Sequence, residues 1–106
     1  LDGFHLLSPE TIEKGRETQS DGKDLVLGGM HTRFGLGFML GTENVSMGPN
    51  PNAFGHGGAG GSLGFSDPDN HISLGFVMNQ MHPGITAWKT ATDVAESVYK
   101  SLSIIE

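Results

Sequence analysis

Cysteine is missing altogether from these 106 residues, which excludes disulfides and thiolate metal sites and leaves the compartment open. Cations are scarce. Six Lys and Arg against twelve Asp and Glu give a formal net charge of −6, and no basic cluster is present to neutralise phosphates, which argues against nucleic acid as a partner. No apolar run reaches the roughly 18 residues of a transmembrane helix. Aromatic residues make up 8% and hydrophobic residues 36% of the chain, a thin supply for the one core that a small domain needs. The expectation is that these residues pack against further polypeptide. The opening Leu1-Asp2-Gly3-Phe4-His5 is neither an initiator methionine nor a signal peptide, and it reads as the middle of something longer.

Glycine, by contrast, is abundant, with 17 residues. Six of them fall within the twelve-residue stretch Phe54-Gly55-His56-Gly57-Gly58-Ala59-Gly60-Gly61-Ser62-Leu63-Gly64-Phe65. Such density removes Cβ atoms and lets a backbone approach something closely. The histidine adds a group that donates or accepts a hydrogen bond near neutral pH. A tight loop entering a strand accounts for the residue types equally well.

Along the chain, Ser8, Pro9 and Glu10 predict a helix start: a capping side chain, a proline at the first position and an acid at the positive end of the dipole. Leu7 and Ile12 occupy the positions of a hydrophobic staple, and the helix is expected to end near Glu17. A loop then leads to Phe34, Leu36, Phe38 and Leu40, whose alternation predicts one strand over residues 33–40 with a buried face. Gly35 and Gly37 suggest that another backbone lies close to it. Residues 41–53, rich in Asn, Pro and Gly, predict a long loop. Residues 62–66 and 71–79, joined by Asp67-Pro68-Asp69-Asn70, predict an antiparallel hairpin. After a loop over residues 81–89, Thr90 and Asp93 suggest a capping box. Ala91, Val94, Ala95, Val98 and Leu102 then form an apolar helical stripe.

Several patterns look like chemistry and fail on context. Gly55-x-Gly57-x-x-Gly60 matches the dinucleotide fingerprint but lacks the strand before and the helix after. Gly60-Gly61-Ser62-Leu63-Gly64 matches a nucleophile elbow, yet Ser62 runs on into a strand and not a helix. Ser-x-x-Lys occurs at Ser20/Lys23, interrupted by Asp21-Gly22, and at Ser97/Lys100, on the polar face of the last helix; both read as coincidence. The histidines at positions 5, 31, 56, 71 and 82 lack zinc-helix spacing, so no metal site is expected, and only His56 is held back from the class of scattered surface histidines.

Taken in order, Arg33-Phe34-Gly35-Leu36-Gly37-Phe38, Phe54-Gly55-His56-Gly57-Gly58-Ala59-Gly60-Gly61-Ser62, Asp67-Pro68 and Leu74-Gly75-Phe76-Val77-Met78-Asn79-Gln80-Met81 resemble the C-terminal third of a family. It is the class C β-lactamase-like serine hydrolases, which include family VIII-type esterases. The opening Leu1-Asp2-Gly3 through Leu7-Ser8-Pro9-Glu10-Thr11-Ile12 is similar to that family too, so the likeness covers essentially the whole chain. It implies an α+β fold of the β-lactamase/transpeptidase type: an antiparallel sheet with a C-terminal helix packed on it. Residues 1–106 would be the C-terminal segment of a single such domain.

The resemblance also implies acyl transfer through a serine, lysine and tyrosine centre, with no cofactor. The family's Ser-x-x-Lys and Tyr-x-Asn have no counterpart here, since Tyr99 is followed by Lys100-Ser101. These groups are expected from an N-terminal portion of the same protein, and this segment alone is expected to be inactive. The third motif does match. His56-Gly57-Gly58 stands where β-lactamases carry Lys-Thr-Gly and esterase-like members often carry His-x-Gly. By resemblance, His56 polarises or orients the substrate, and Gly57 and Gly58 border it. The Ala59 N–H supplies half of an oxyanion hole, with the nucleophile's own amide as the other half. Histidine in place of lysine weakens the fixed positive charge and favours a small-molecule ester or amide. The alternative is a non-catalytic interaction module on the same scaffold, and upstream sequence would discriminate the two.

Overall fold

Ser8, Pro9 and Glu10 do start a helix in the computed structural model, which describes residues 3–84 and 88–106. Helix α1 spans Pro9–Arg16, and Ser8 Oγ accepts from the Thr11 N–H at 3.2 Å. Six strands follow as a meander in which every neighbouring pair is antiparallel, in the order β1-β2-β3-β4-β5-β6. They are β1 (Ser20–Asp24), β2 (Met30–Phe34), β3 (Met39–Leu40), β4 (Phe54–Gly57), β5 (Leu63–Asp67) and β6 (Ile72–Phe76). Helix α2 (Lys89–Ser101) covers one face. Among the described residues no helix is long and apolar enough to cross a membrane.

Two expectations about the strands are corrected. The segment read as a loop after the first helix contains β1, paired with β2 from Ser20↔Phe34 to Asp24↔Met30. Its sequence Ser-Asp-Gly-Lys-Asp has no apolar alternation because it is an outermost strand with little to bury. The single strand expected over residues 33–40 is broken. Gly35 donates to Phe38 O at 2.9 Å, Gly37 turns the chain at φ +83°, and β2 and β3 lie side by side. The alternating pattern spans a hairpin, so Leu36 and Phe38 are exposed while Met39 and Leu40 are buried. The close backbone expected at Gly35 is there: a Cβ would run into the Gly15 carbonyl, which also accepts from the Leu36 N–H at 2.8 Å. The β5–β6 hairpin is as expected, although β6 stops at Phe76 and Val77 is exposed.

Register places Gly55, Phe65 and Leu74 on one face, together with Gly57, Leu63 and Phe76. This face meets α2, where Phe65 stacks on Tyr99 with ring centroids 6.5 Å apart. Met39, Val45, Met47, Ala53, Ile72, Ala91 and Ala95 complete the core.

The helix's buried stripe is rotated from the expected one. Ala91, Ala95 and Tyr99, spaced four apart, are buried, whereas Val94 is 40% and Leu102 56% exposed. Small alanines let the helix sit close to the sheet, and the aromatic ring fills the space at its end. The expected cap is also absent. Thr90 lies inside the helix, Trp88 holds the N-cap position without a side-chain cap, and Asp93 pairs with Lys89 at 2.6 Å. Of the preceding loop, residues 85–87 lie outside those described. Ala95→Asp is therefore expected to lower the melting temperature of the intact protein more than Val94→Asp, because it buries an unpaired charge at a cost on the order of 3 kcal/mol. Thermal melts of both variants check this, and the reverse order would place the buried stripe on the Val94 side.

Candidate active site

The glycine-rich stretch holds the whole of β4, a turn, and the start of β5. Gly58 N–H donates to Ser62 O at 2.7 Å and Gly61 N–H to Gly58 O at 3.2 Å. Gly60 and Gly61, at φ +90° and +120°, supply backbone angles that side chains resist. Ser62 then immediately precedes β5, so the strand-to-helix turn of a nucleophile elbow is not built. For the same reason no helix follows Gly55-x-Gly57-x-x-Gly60 to receive a pyrophosphate.

His56 is the third of the four residues of β4, inside the strand and not at its entrance. Its register partner is Gly64, which in turn pairs with Gly75. Alternation thus puts the imidazole on the face away from α2, where it is exposed. Nδ1 lies 2.5 Å from Gly57 O. A carbonyl only accepts, so Nδ1 carries the proton and Nε2 is free to accept in the neutral ring. The Phe34 ring stands 5.8 Å from the imidazole.

Gly57 and Gly58 face other groups. A Cβ on Gly57 would meet the Trp88 indole, and one on Gly58 would strike Ser62 Oγ. Ala59 is exposed, and its N–H finds no acceptor among the described residues. The edge of β4 beside it is open: β3 is two residues long and pairs only with Phe54 and Gly55. Residues Gly58, Ala59 and Gly60 also border a cleft of about 410 Å³ walled by Leu27, Met30, Met81 and Trp88.

The two Ser-x-x-Lys pairs do not form catalytic dyads. Ser20 and Lys23 lie on β1, where a three-residue spacing puts them on opposite faces. Ser97 Oγ donates to Asp93 O at 2.9 Å, and Lys100 pairs with Glu96 at 2.9 Å. Tyr99 is fully buried and donates to Asp67 Oδ2 at 2.6 Å. Burial first, and then the bond to the Asp67 carboxylate, push its phenol pKa up, so it stays a neutral donor.

Three features went unread in the sequence. One is Trp88, whose Nε1 donates to Gly58 O at 2.9 Å. Another is Asp67, which accepts from Tyr99, from Asn50 Nδ2 at 2.7 Å and from Asn70 Nδ2 at 2.8 Å. The third is His31, set aside as a surface histidine. Its Nε2 lies 2.6 Å from Asp21 and its Nδ1 2.8 Å from Glu43, and bonds first to Asp21 and then to Glu43 raise its pKa. Only the doubly protonated ring serves both carboxylates. Apart from the Asp67–Asn70 bond inside the turn, these contacts join residues ten or more positions apart, and no local spacing signals them.

Sheet, covering helix and open β4 edge together define the β-lactamase/transpeptidase-like arrangement. The Beta-lactamase family model matches residues 1–96, and the chain belongs to that family. Solved structures agree. A family VIII carboxylesterase is 33% identical, with a TM-score of 0.76 over 92% of this chain and 27% of its own. A penicillin-binding protein homologue from Caulobacter crescentus is 34% identical, with a TM-score of 0.72 over 88% of this chain and 27% of its own. EstA from Arthrobacter nitroguajacolicus Rue61a is 32% identical, with a TM-score of 0.68 over 88% of this chain and 26% of its own. The chain thus spans about a quarter of the length of each of these structures. No curated protein matches it.

Proposed function

We propose that this chain supplies the third-motif strand and one oxyanion donor of a serine hydrolase acting on small esters or amides. The nucleophilic serine, its lysine and the tyrosine come from an N-terminal portion of the same protein. The observation that carries the reading is the Ala59 N–H, without an acceptor among the described residues, beside the open edge of β4. A substrate carbonyl placed along that edge meets the donor, and the oxyanion that develops on it is stabilised there. His56, whose Nε2 has no partner among the described residues, orients or polarises the substrate on the face away from α2. Exposed Leu25, Val26 and Val77 support a larger apolar partner for this sheet. The 33% identity to a family VIII carboxylesterase supports ester chemistry.

A non-catalytic interaction module is the second reading. It is favoured by the lack of an activated serine among the described residues, since Ser97 and Lys100 are engaged elsewhere. One assay separates the two: steady-state hydrolysis of a short-chain aryl ester by the intact protein. His56→Ala is expected to lower turnover by about 10²-fold with little loss of stability, because the ring is exposed, while Ser62→Ala leaves it nearly intact. Loss of activity in Ser62→Ala alone would restore the elbow reading, and no hydrolysis by the unmutated protein would favour the interaction module.

A further inference from the structure

The residue that holds the proposed oxyanion donor in place lies on the opposite side of the sheet from the imidazole. Gly58 C=O and Ala59 N–H belong to one peptide unit. No described peptide bond is cis, so the two groups point in opposite directions from one plane. The carbonyl end of that plane is pinned twice, by Trp88 Nε1–H at 2.9 Å and by Gly61 N–H at 3.2 Å. Its amide end carries no bond among the described residues. The loop around it is tied down as well, since His82 N–H donates to Gly60 O at 3.0 Å.

We infer that Trp88 is a positioning residue for the oxyanion site: its indole N–H, bonded to Gly58 O, sets the tilt of the Gly58–Ala59 peptide and polarises its N–H. The inference rests on the reading of Ala59 given above. Two features support it beyond the bond itself. Gly57 leaves the space into which the indole fits, since a Cβ there would collide with Cε2, Nε1 and Cζ2. Trp88 also stands directly before α2, whose Ala91, Ala95 and Tyr99 are buried against the sheet, so the indole is held by the best-packed helix of the chain. A donor fixed before substrate arrives costs no reorganisation when charge develops, and a hydrogen bond accepted at the carbonyl strengthens donation from the same peptide's N–H. Gly57 in the motif is thereby explained by the indole beneath it.

The test uses the intact protein labelled with carbonyl-13C glycine and 15N alanine. In this chain Gly58-Ala59 is the only Gly-Ala step, and the signal that vanishes in Ala59→Gly assigns this peptide within the intact protein. Trp88→Phe keeps an aromatic plate and deletes the N–H. The Gly58 carbonyl signal is expected to move upfield, and kcat for a short aryl ester to fall about tenfold with KM unchanged. A carbonyl signal that does not move overturns the inference, whatever the turnover. A signal that moves while turnover stays the same overturns the oxyanion reading of Ala59, and with it the catalytic purpose of the contact. Should Trp88→Phe not fold, hydrogen exchange of the Trp88 indole N–H in the unmutated protein decides. Strong protection supports the bond, and exchange at the rate of free indole refutes it.

Discussion

Ala59→Pro is expected to reduce ester turnover by the intact protein about 10²- to 10³-fold, the usual cost of losing one oxyanion donor. Proline deletes the N–H, which bonds to no acceptor among the described residues, and the side chain it replaces is exposed; it also fixes φ at this position and restricts Gly58. Ala59→Gly keeps the N–H and serves as the control, with turnover expected within a fewfold of the unmutated protein. The loss in the proline variant should fall on kcat, since the donor meets charge that exists only as the reaction proceeds. Circular dichroism and melting temperature measured alongside separate this outcome from a disturbed turn. Equal activity in the two variants would remove Ala59 from the site.

Asp67→Ala is expected to destabilise the protein by about 3–4 kcal/mol, read as a lower denaturant midpoint. The carboxylate is fully buried at the end of β5 and accepts from Tyr99, Asn50 and Asn70 side chains and from the Asn70 N–H at 3.1 Å. Burial opposes its charge more than any other single influence, yet the hydrogen bonds together outweigh burial and hold its pKa at about 2. Because the folded-state pKa lies below the unfolded value of about 3.9, the stabilisation is complete above that value. It is lost as pH falls through about 2. Acid unfolding of Asp67→Asn should lack this component. Tyr99→Phe deletes one donor and should cost less, roughly 1.5–3 kcal/mol.

Where the sequence was readable, the information was local. Ser8 and Pro9 mark their helix and Asp67-Pro68-Asp69-Asn70 marks its turn, because capping and turn chemistry act within a few residues. Phe34, Leu36, Phe38 and Leu40 misled, because an alternating pattern does not say whether the chain continues or doubles back. Gly37, at φ +83°, decides that it doubles back. The stripe on α2 misled for a related reason. Val94 and Leu102 are as apolar as Ala91 and Ala95, and only the sheet's shape selects the face that Tyr99 joins. Trp88 could not be assigned at all. Its partner is a backbone carbonyl thirty residues earlier, and a carbonyl leaves no trace in sequence.

The buried Asp67 cluster also has a consequence in time. Its partners come from far along the chain: Asn50 is 17 residues before it and Tyr99 is 32 after it. The loop that precedes β4, the β5–β6 turn and the last helix must all dock before the carboxylate is satisfied, and each closure costs chain entropy in advance. The cluster is therefore expected to close late, on the native side of the folding barrier. Its energy should then act chiefly as a latch, so that Asp67→Ala speeds unfolding far more than it slows folding.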